Sequence, residues 1–283
     1  MLPRFGLHID GVDHASSREA WLPVFDPCTG MAWAEVAAGD ASDAEAAVAA
    51  AQRAMPAWAA LKPSERARWL ERLADALEAD AEAFVALESR DTGKPLALCR
   101  DIEIPRAVAN LRFFAASART FGSESYHGEA GLNLVLRPPL GVVATISPWN
   151  LPLYLFTWKL APALASGCTV VAKPSEVTPA TATAFARLAT RVGLPKGVLN
   201  VVHGEGAVVG EALVRHPAVK AVSFTGSTAV GRRIGGLCGE QLKKVSLELG
   251  GKNATIAFED VEPRDAVALV ARAAFQNAGQ ICL

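Results

Sequence analysis

The run Gly141-Val142-Val143-Ala144-Thr145-Ile146-Ser147-Pro148-Trp149-Asn150 decides the fold. Residues 141–147 are apolar or small and rich in β-branched side chains, and Pro148 stops them. A run this short suits a strand buried on both faces better than a helix. Four more runs repeat it, at 169–173, 198–203, 220–225 and 243–249. Helical patterns at 152–166, 178–192, 206–216 and 228–238 separate them. Short apolar strands alternating with helices are the signature of a parallel sheet covered on both faces. The reading is a doubly wound α/β fold. Ligands in such folds bind outside the carboxyl ends of the strands, so the residues just past each run deserve inspection.

Upstream of the strands, residues 5–36 read as short strands and turns, with a turn at Asp26-Pro27-Cys28-Thr29-Gly30. Ser42 and Glu45 suit a capping box for a helix over 42–55. A second helix starts at Ser64 after Pro63, and its apolar residues at 69, 70, 73, 77 and 84 keep to one face. Asp91-Thr92-Gly93-Lys94-Pro95 is a break. A third helix, roughly 101–120, carries Arg106, Asn110 and Arg112. Residues 122–139 read as a projecting β-hairpin arm.

Composition excludes several classes. The chain has 283 residues, 51% of them hydrophobic, and a net charge of −1. That suits a protein with a sizeable core and not a nucleic-acid binder, which would show a basic excess. Cys28, Cys99, Cys168, Cys238 and Cys282 are odd in number and form no CxxC or Cys/His cluster. Neither a disulfide framework nor a metal site is expected, and a reducing, cytoplasmic compartment is the simple reading. There is no signal-peptide pattern and no apolar run long enough to span a membrane.

Each strand end offers a chemical reading and a bland one. Asn150 suits an oxyanion donor, or a loop cap. Lys173 and Glu176 can grip the hydroxyls of a ribose, and Glu176 would repel a 2′-phosphate; they can also be a solvated turn. Gly204-Glu205-Gly206 through Gly210 comes close to a GxGxxG loop with one residue too many. Phe224-Thr225-Gly226-Ser227 opens a helix whose free amides suit a pyrophosphate, although Ser227 alone would be an ordinary cap. Glu248, followed by Gly250 and Gly251, suits a general base whose pKa burial would raise, or a turn cap.

Taken together, Pro148-Trp149-Asn150, Lys173-Pro174-Ser175-Glu176, Phe224-Thr225-Gly226-Ser227, Glu248-Leu249-Gly250-Gly251-Lys252 and Gly279-Gln280-Ile281-Cys282 resemble the NAD(P)-dependent aldehyde dehydrogenase superfamily. The resemblance covers essentially the whole chain. It implies a Rossmann-like NAD-binding domain over 1–121 and 140–251, an oligomerisation arm over 122–139, and the start of a catalytic domain over 252–283. It makes Cys282 the nucleophile, Glu248 the general base and Asn150 the oxyanion donor. NAD would meet Ile146, Ser147, Trp149, Lys173, Ser175, Glu176, Gly206, Phe224, Gly226, Ser227, Val230, Leu249 and Gly250. The segments Ile104-Pro105-Arg106, Leu111 to Ala115 and Ser147 to Leu155 look most like the 2-aminomuconate and 2-hydroxymuconate semialdehyde dehydrogenases. On that likeness Arg106, Leu151 and Trp158 would line the substrate tunnel. Arg106 would pair with a substrate carboxylate, or else with Glu103 on the helix surface. The activity implied is oxidation of a carboxylate-bearing aldehyde through a Cys282 thioester, by a homo-oligomer, dimer or tetramer. A betaine-type or aliphatic aldehyde, or a non-catalytic NAD-binding fragment, are the alternatives. Relatives continue for about two hundred residues past the nucleophile, the size of an ordinary domain. Little activity is therefore expected of these residues alone, with the arm left unpaired.

Overall fold

A computed structural model of the chain describes residues 2–129 and 131–282. The first strands are short: β1 (Arg4–Phe5), β2 (Leu7–Ile9), β3 (Val12–His14), β4 (Trp21–Phe25) and β5 (Ala32–Ala37). The turn expected at Asp26–Gly30 joins β4 to β5, with the Asp26 carbonyl accepting from the Thr29 and Gly30 amides.

Helix α1 (Ala41–Ala60) is capped two residues earlier than the serine suggests. Asp40 is the N-cap; its Oδ1 accepts from the Ser42 amide at 2.8 Å, and Asp43 Oδ2 accepts from the Asp40 amide at 3.0 Å. A carboxylate accepts from helix amides more strongly than a hydroxyl, so the aspartate takes the capping position. The single helix expected from Ser64 is two, α2 (Pro63–Ala79) and α3 (Ala81–Thr92), because Asp80 leaves helical geometry at φ −96°, ψ 12°. Gly93, at φ 72°, ends α3. The single turn α4 (Leu96–Leu98) and a π-helical turn (Cys99–Glu103) lead into α5 (Ile104–Thr120). Strands β6 (Ser125–Gly128) and β7 (Gly131–Leu134) pair antiparallel as an exposed hairpin.

The remaining elements alternate as expected: β8 (Val142–Ile146), α6 (Pro152–Ala165), β9 (Thr169–Lys173), α7 (Ala180–Arg191) and β10 (Leu199–Val201). A π-helical turn (Gly206–Gly210) runs into α8 (Glu211–Arg215). Strand β11 (Val219–Gly226), α9 (Thr228–Glu240), β12 (Lys244–Leu249) and α10 (Pro263–Phe275) complete the series.

The large sheet has the order β12-β11-β8-β9-β10-β2-β3. Its first five strands are parallel, while β2 and β3 join antiparallel beyond β10. These two N-terminal strands extend the parallel sheet that the apolar runs predict. Side chains alternate along each strand. Val143, Val170 and Ala172 face a core with Phe156, Leu160 and Phe185, whereas Val142, Ala144, Ile146 and Val171 face Val48, Leu213 and Ile234. Helices thus cover both faces. Strand order reverses between β8 and β11, the position at which doubly wound folds bind their ligands.

Polar groups tie the helical layer. Lys94 Nζ lies 3.5 Å from Glu103 Oε1, both buried. Glu88 Oε2 accepts from Thr181 Oγ1 at 2.8 Å, and burial pushes the Glu88 carboxyl up to about 7. Asp91 accepts from the Ala180 amide at the start of α7 at 2.8 Å; burial pushes it up to about 8.

Replacing Asp40 by alanine should cost about 1 kcal/mol of stability at neutral pH in a urea titration. Hydrogen bonds from Ser42 lower the Asp40 pKa from 3.8 to about 2. A depressed carboxyl stabilises the fold above its unfolded pKa and loses that contribution as pH falls through the folded one. The gap between wild type and Asp40→Ala should therefore close as pH falls from about 4 towards 2.

Candidate active site

Strand register sets the residues in a row. Ile146 pairs with Lys173 on one side and Phe224 on the other. Thr225 pairs with Glu248, and Gly226 with Leu249. The Ser147 amide donates to the Lys173 carbonyl at 3.2 Å, after which Pro148 turns the chain out of the sheet. Trp149 is exposed, Asn150 half-buried, and Leu151 buried at the N-cap of α6.

Asn150 and the segment before Cys282 meet past the end of β8. Asn150 Nδ2 donates to the Gln280 carbonyl at 2.8 Å. Asn277 Nδ2 lies 3.1 Å from the Asn150 carbonyl and 3.2 Å from that of Gln280. Asn253 Nδ2 donates to the Cys282 carbonyl at 3.2 Å. The turn carrying these groups is left-handed at Asn277 (φ 52°), Ala278 (φ 54°) and Gly279 (φ 74°). Asparagine tolerates that region and alanine does not, so the amide bonds hold a strained turn in place. Cys282 is half-buried, whereas Cys99, Cys168 and Cys238 are buried.

Glu248 departs from expectation. It is exposed, not buried: Leu247 and Leu249 turn toward α9, and Glu248 points to the opposite, open side of β12. Lys159 is the residue the sequence reading passed over. It sits buried on α6 with Nζ 3.3 Å from Ser223 Oγ. Desolvation lowers its pKa to about 8, and the negative charges of Glu248 and Cys282 partly offset that effect. A single lysine within the apolar helix 152–166 was the available signal, since lysine is almost never fully buried without a partner.

The groups expected to hold a dinucleotide lie along the same edge. Lys173 Nζ donates to Glu176 Oε2 at 2.6 Å and to the Pro174 carbonyl at 3.1 Å. Ser175 Oγ accepts from the Val177 amide at 3.3 Å. Glu176 and Gly206 line a 510 Å³ cavity. Ser227 caps α9, its Oγ accepting from the Val230 amide at 3.3 Å, which leaves the amides of Thr228 and Ala229 free for an anion. A Cβ on Gly226 would come within 2.5 Å of the Phe224 ring, so a side chain there would have to displace that ring. Val230 and Gly250 are exposed and Leu249 half-buried beside them. A carboxylate beside a cavity past β9 and free helix amides past β11 flank the switch point on either side, an arrangement that fits a dinucleotide.

Arg106 does not pair with Glu103, which is buried against Lys94. Its guanidinium lies 3.9 Å from the centroid of Tyr154, and Nη2 donates to the Tyr154 hydroxyl at 2.8 Å. Asn110 Nδ2 fixes that stretch through the Tyr154 carbonyl and Thr157 Oγ1, each at 3.0 Å. Trp158 is exposed and packs edge-on against Phe114, with ring centroids 5.6 Å apart. Arg106, Tyr154 and Trp158 thus form one aromatic and cationic patch. Among the described residues no cluster of histidine, cysteine or acidic side chains suits a metal ion, and no helix is long and apolar enough to cross a membrane.

This architecture, with Asn150 bonded to the segment that carries Cys282, defines the class: residues 13–283 match the aldehyde dehydrogenase family. The chain belongs to that family. It is 47% identical over 266 residues to human 2-aminomuconic semialdehyde dehydrogenase, covering 93% of this chain and 55% of that protein. PnpE in complex with nicotinamide adenine dinucleotide superposes with a TM-score of 0.95 at 45% identity, over 100% of this chain and 58% of that one. An Escherichia coli NADP-dependent enzyme superposes with a TM-score of 0.96 at 38% identity, over 99% and 58%. The chain spans about half the length of the curated relatives it matches.

Lys159 has a measurable signature. A lysine whose folded pKa lies below its unfolded value holds fewer protons when folded, so stability rises with pH between the two values. Wild type should gain on Lys159→Met between pH 8 and 10.5, by on the order of 2–3 kcal/mol in chemical denaturation at a series of pH values. A constant difference across that range would remove the buried ammonium from the account.

Proposed function

We propose that the protein carrying this chain oxidises a carboxylate-bearing aldehyde to the acid, with NAD as hydride acceptor. The observation that carries the reading is the Asn150 side chain donating to the Gln280 carbonyl, which brings the end of β8 to the approach to Cys282. One hydrogen of that amide is used; the second is available to an oxyanion.

The chemistry runs through the chain's own groups. The Cys282 thiolate bonds to the aldehyde carbon, and the carbonyl oxygen becomes an oxyanion. Asn150 Nδ2 and the Cys282 amide donate to that oxygen. NAD, when bound, supplies the acceptor for the hydride whose loss leaves a thioester on Cys282. Glu248 takes a proton from water as the water oxygen bonds to the thioester carbon. The C–S bond then breaks, releasing the acid and restoring the thiolate. The exposure of Glu248 gives water a route to it, and the Lys159 ammonium lies near enough to couple electrostatically to both Glu248 and Cys282.

Arg106 supports the carboxylate-bearing substrate, since a guanidinium over Tyr154 still has donors free for bidentate pairing. Its stacking also favours a second reading, a neutral aldehyde held by Tyr154 and Trp158. The exposed hairpin supports 122–139 as the arm of a homo-oligomer. We read 1–121 and 140–251 as the cofactor domain and 252–283 as the start of the catalytic one. A cytoplasmic location, without nucleic-acid or membrane partners, fits the charge and cysteine usage.

Glu248→Gln should keep a pre-steady-state burst of NADH while losing steady turnover, because only thioester hydrolysis uses the base. Equal loss of both would sink that role. Cys282→Ala should abolish the burst, and Asn150→Ala should slow it by roughly two to three orders of magnitude. Arg106→Ala should raise KM about tenfold or more for carboxylate-bearing aldehydes and leave neutral ones within about twofold. An equal effect on both classes would favour the neutral substrate.

A further inference from the structure

Helices α6 and α7 begin without caps of their own. Leu151 and Pro179 stand at the two N-cap positions, and neither has a side-chain acceptor. The amides of a first helical turn need partners, and α3 supplies them from outside. Glu88 and Asp91 are three residues apart on α3, so their carboxylates leave it on one face. Asp91 Oδ2 accepts from the Ala180 amide at 2.8 Å, in the first turn of α7. Glu88 Oε2 accepts from Thr181 Oγ1 at 2.8 Å in that same turn. The Leu153 amide, in the first turn of α6, faces the same buried Glu88 carboxyl. Glu88 thus stands between the starts of the two helices that follow β8 and β9. Asn150 lies just ahead of the first of them.

We propose that Glu88 is a positioning residue for Asn150, bracing the first turn of α6 against that of α7. This rests on the reading of Asn150 as the oxyanion donor and adds the group that holds it. Between Asn150 and Leu153 the backbone passes through Pro152, whose fixed φ hands a shift of Leu153 on to Asn150. The brace depends on charge, because a carboxylate accepts from two donors more strongly than a protonated acid does. That charge is set locally. Burial raises the Glu88 pKa to about 7 against the opposing effect of Lys94 and the Thr181 hydroxyl; Glu103 adds to the rise, and the Leu153 amide opposes it. Asp91 and Cys99 couple to the same carboxyl. The seat of Asn150 is therefore sensitive to pH near neutrality.

The side-chain amide signals of isotope-labelled asparagine report on this by NMR in the 283-residue chain. The Asn150 signal, identified by its loss in Asn150→Ala, should titrate with a midpoint at about 7. Asn110, which donates to the Tyr154 carbonyl on α6, should move with it. Asn200, which donates to the Val170 and Gly197 carbonyls, should stay still and show that the fold persists. Glu88→Gln should remove the transition. Thr181→Val should raise the midpoint by about half a unit to one unit, because the ionised form loses a donor, and Thr181→Ser should restore it. An Asn150 signal that is flat in wild type, or that keeps its transition in Glu88→Gln, would overturn the proposal. In the protein that carries this chain, Glu88→Ala should slow the NADH burst about tenfold with KM within about twofold, and Glu88→Gln should recover most of the rate. If Asn150→Ala slows the burst and Glu88→Ala does not, Asn150 remains the donor and Glu88 does not position it. If Asn150→Ala leaves the burst unchanged, the oxyanion reading falls, while a transition lost in Glu88→Gln still upholds the brace.

Discussion

The register of β8 against its two neighbours is the constraint on which the site depends. Ile146 is aligned with Lys173 and with Phe224, and the next pairings out bring Glu248 and Leu249 level with Thr225 and Gly226. A slip of one residue would send each β8 side chain to the opposite face. Both faces of β8 are buried, so the slip would put Val142, Val143 and Ile146 into cores shaped for other side chains, a misfit of about 1–3 kcal/mol at an overpacked position. The irregularity in the β11 pairing falls between Val219 and Ala221, at the far end of the strand, and leaves the functional end regular.

The helical layer carries that precision to the substrate side. Asn110 on α5 bonds twice to α6, which fixes Tyr154 beneath Arg106. Trp58 and Arg66 reach from α1 and α2 to the carbonyls of Leu164 and Ala165, at 3.1 and 2.9 Å, and satisfy the last turn of α6. Lys159 lies on that same helix, so its ammonium is delivered to the site by a rigid element and not by a loop. The cluster of Glu88, Lys94 and Glu103 does similar work further back. It leaves buried oxygens of Glu88 and Glu103 without protein partners, a cost that a merely structural apolar core would not carry.

How much of this was legible in the sequence depended on the length scale of each signal. The five parallel strands announced themselves because a two-sided buried strand is apolar throughout. Strands β2 and β3 were legible only as short strands within 5–36, since three residues carry no period that would place them in the large sheet. The Asp40 cap lost to Ser42 on paper because both pairs satisfy the same spacing, and only the geometry shows which oxygen reaches the amides. The break at Asp80 was hidden by an apolar stripe that continues from Leu77 to Phe84 across it. Asn150, Glu248 and Cys282 were legible through the resemblance and not through their individual settings. The exposure of Glu248 follows from which face of β12 is covered by α9, a tertiary property that the strand's own residues do not state. Asn253 and Asn277 act through contacts with residues distant in sequence, and nothing local marks them; Lys159 was marked only as the one lysine of an apolar helix.

The order of parts along the chain bears on how the site comes into being. Asn150 and Gln280 touch, yet 130 positions separate them, and all five parallel strands and their helices lie before the cysteine. During synthesis a chain folds from its amino end as it emerges. The sheet can therefore be assembled, with its anion-binding helix end and hydroxyl acceptors in place, before any residue after Phe275 has left the ribosome. Cys282 would follow them, onto a framework in which Asn150 already stands where it meets the Gln280 carbonyl.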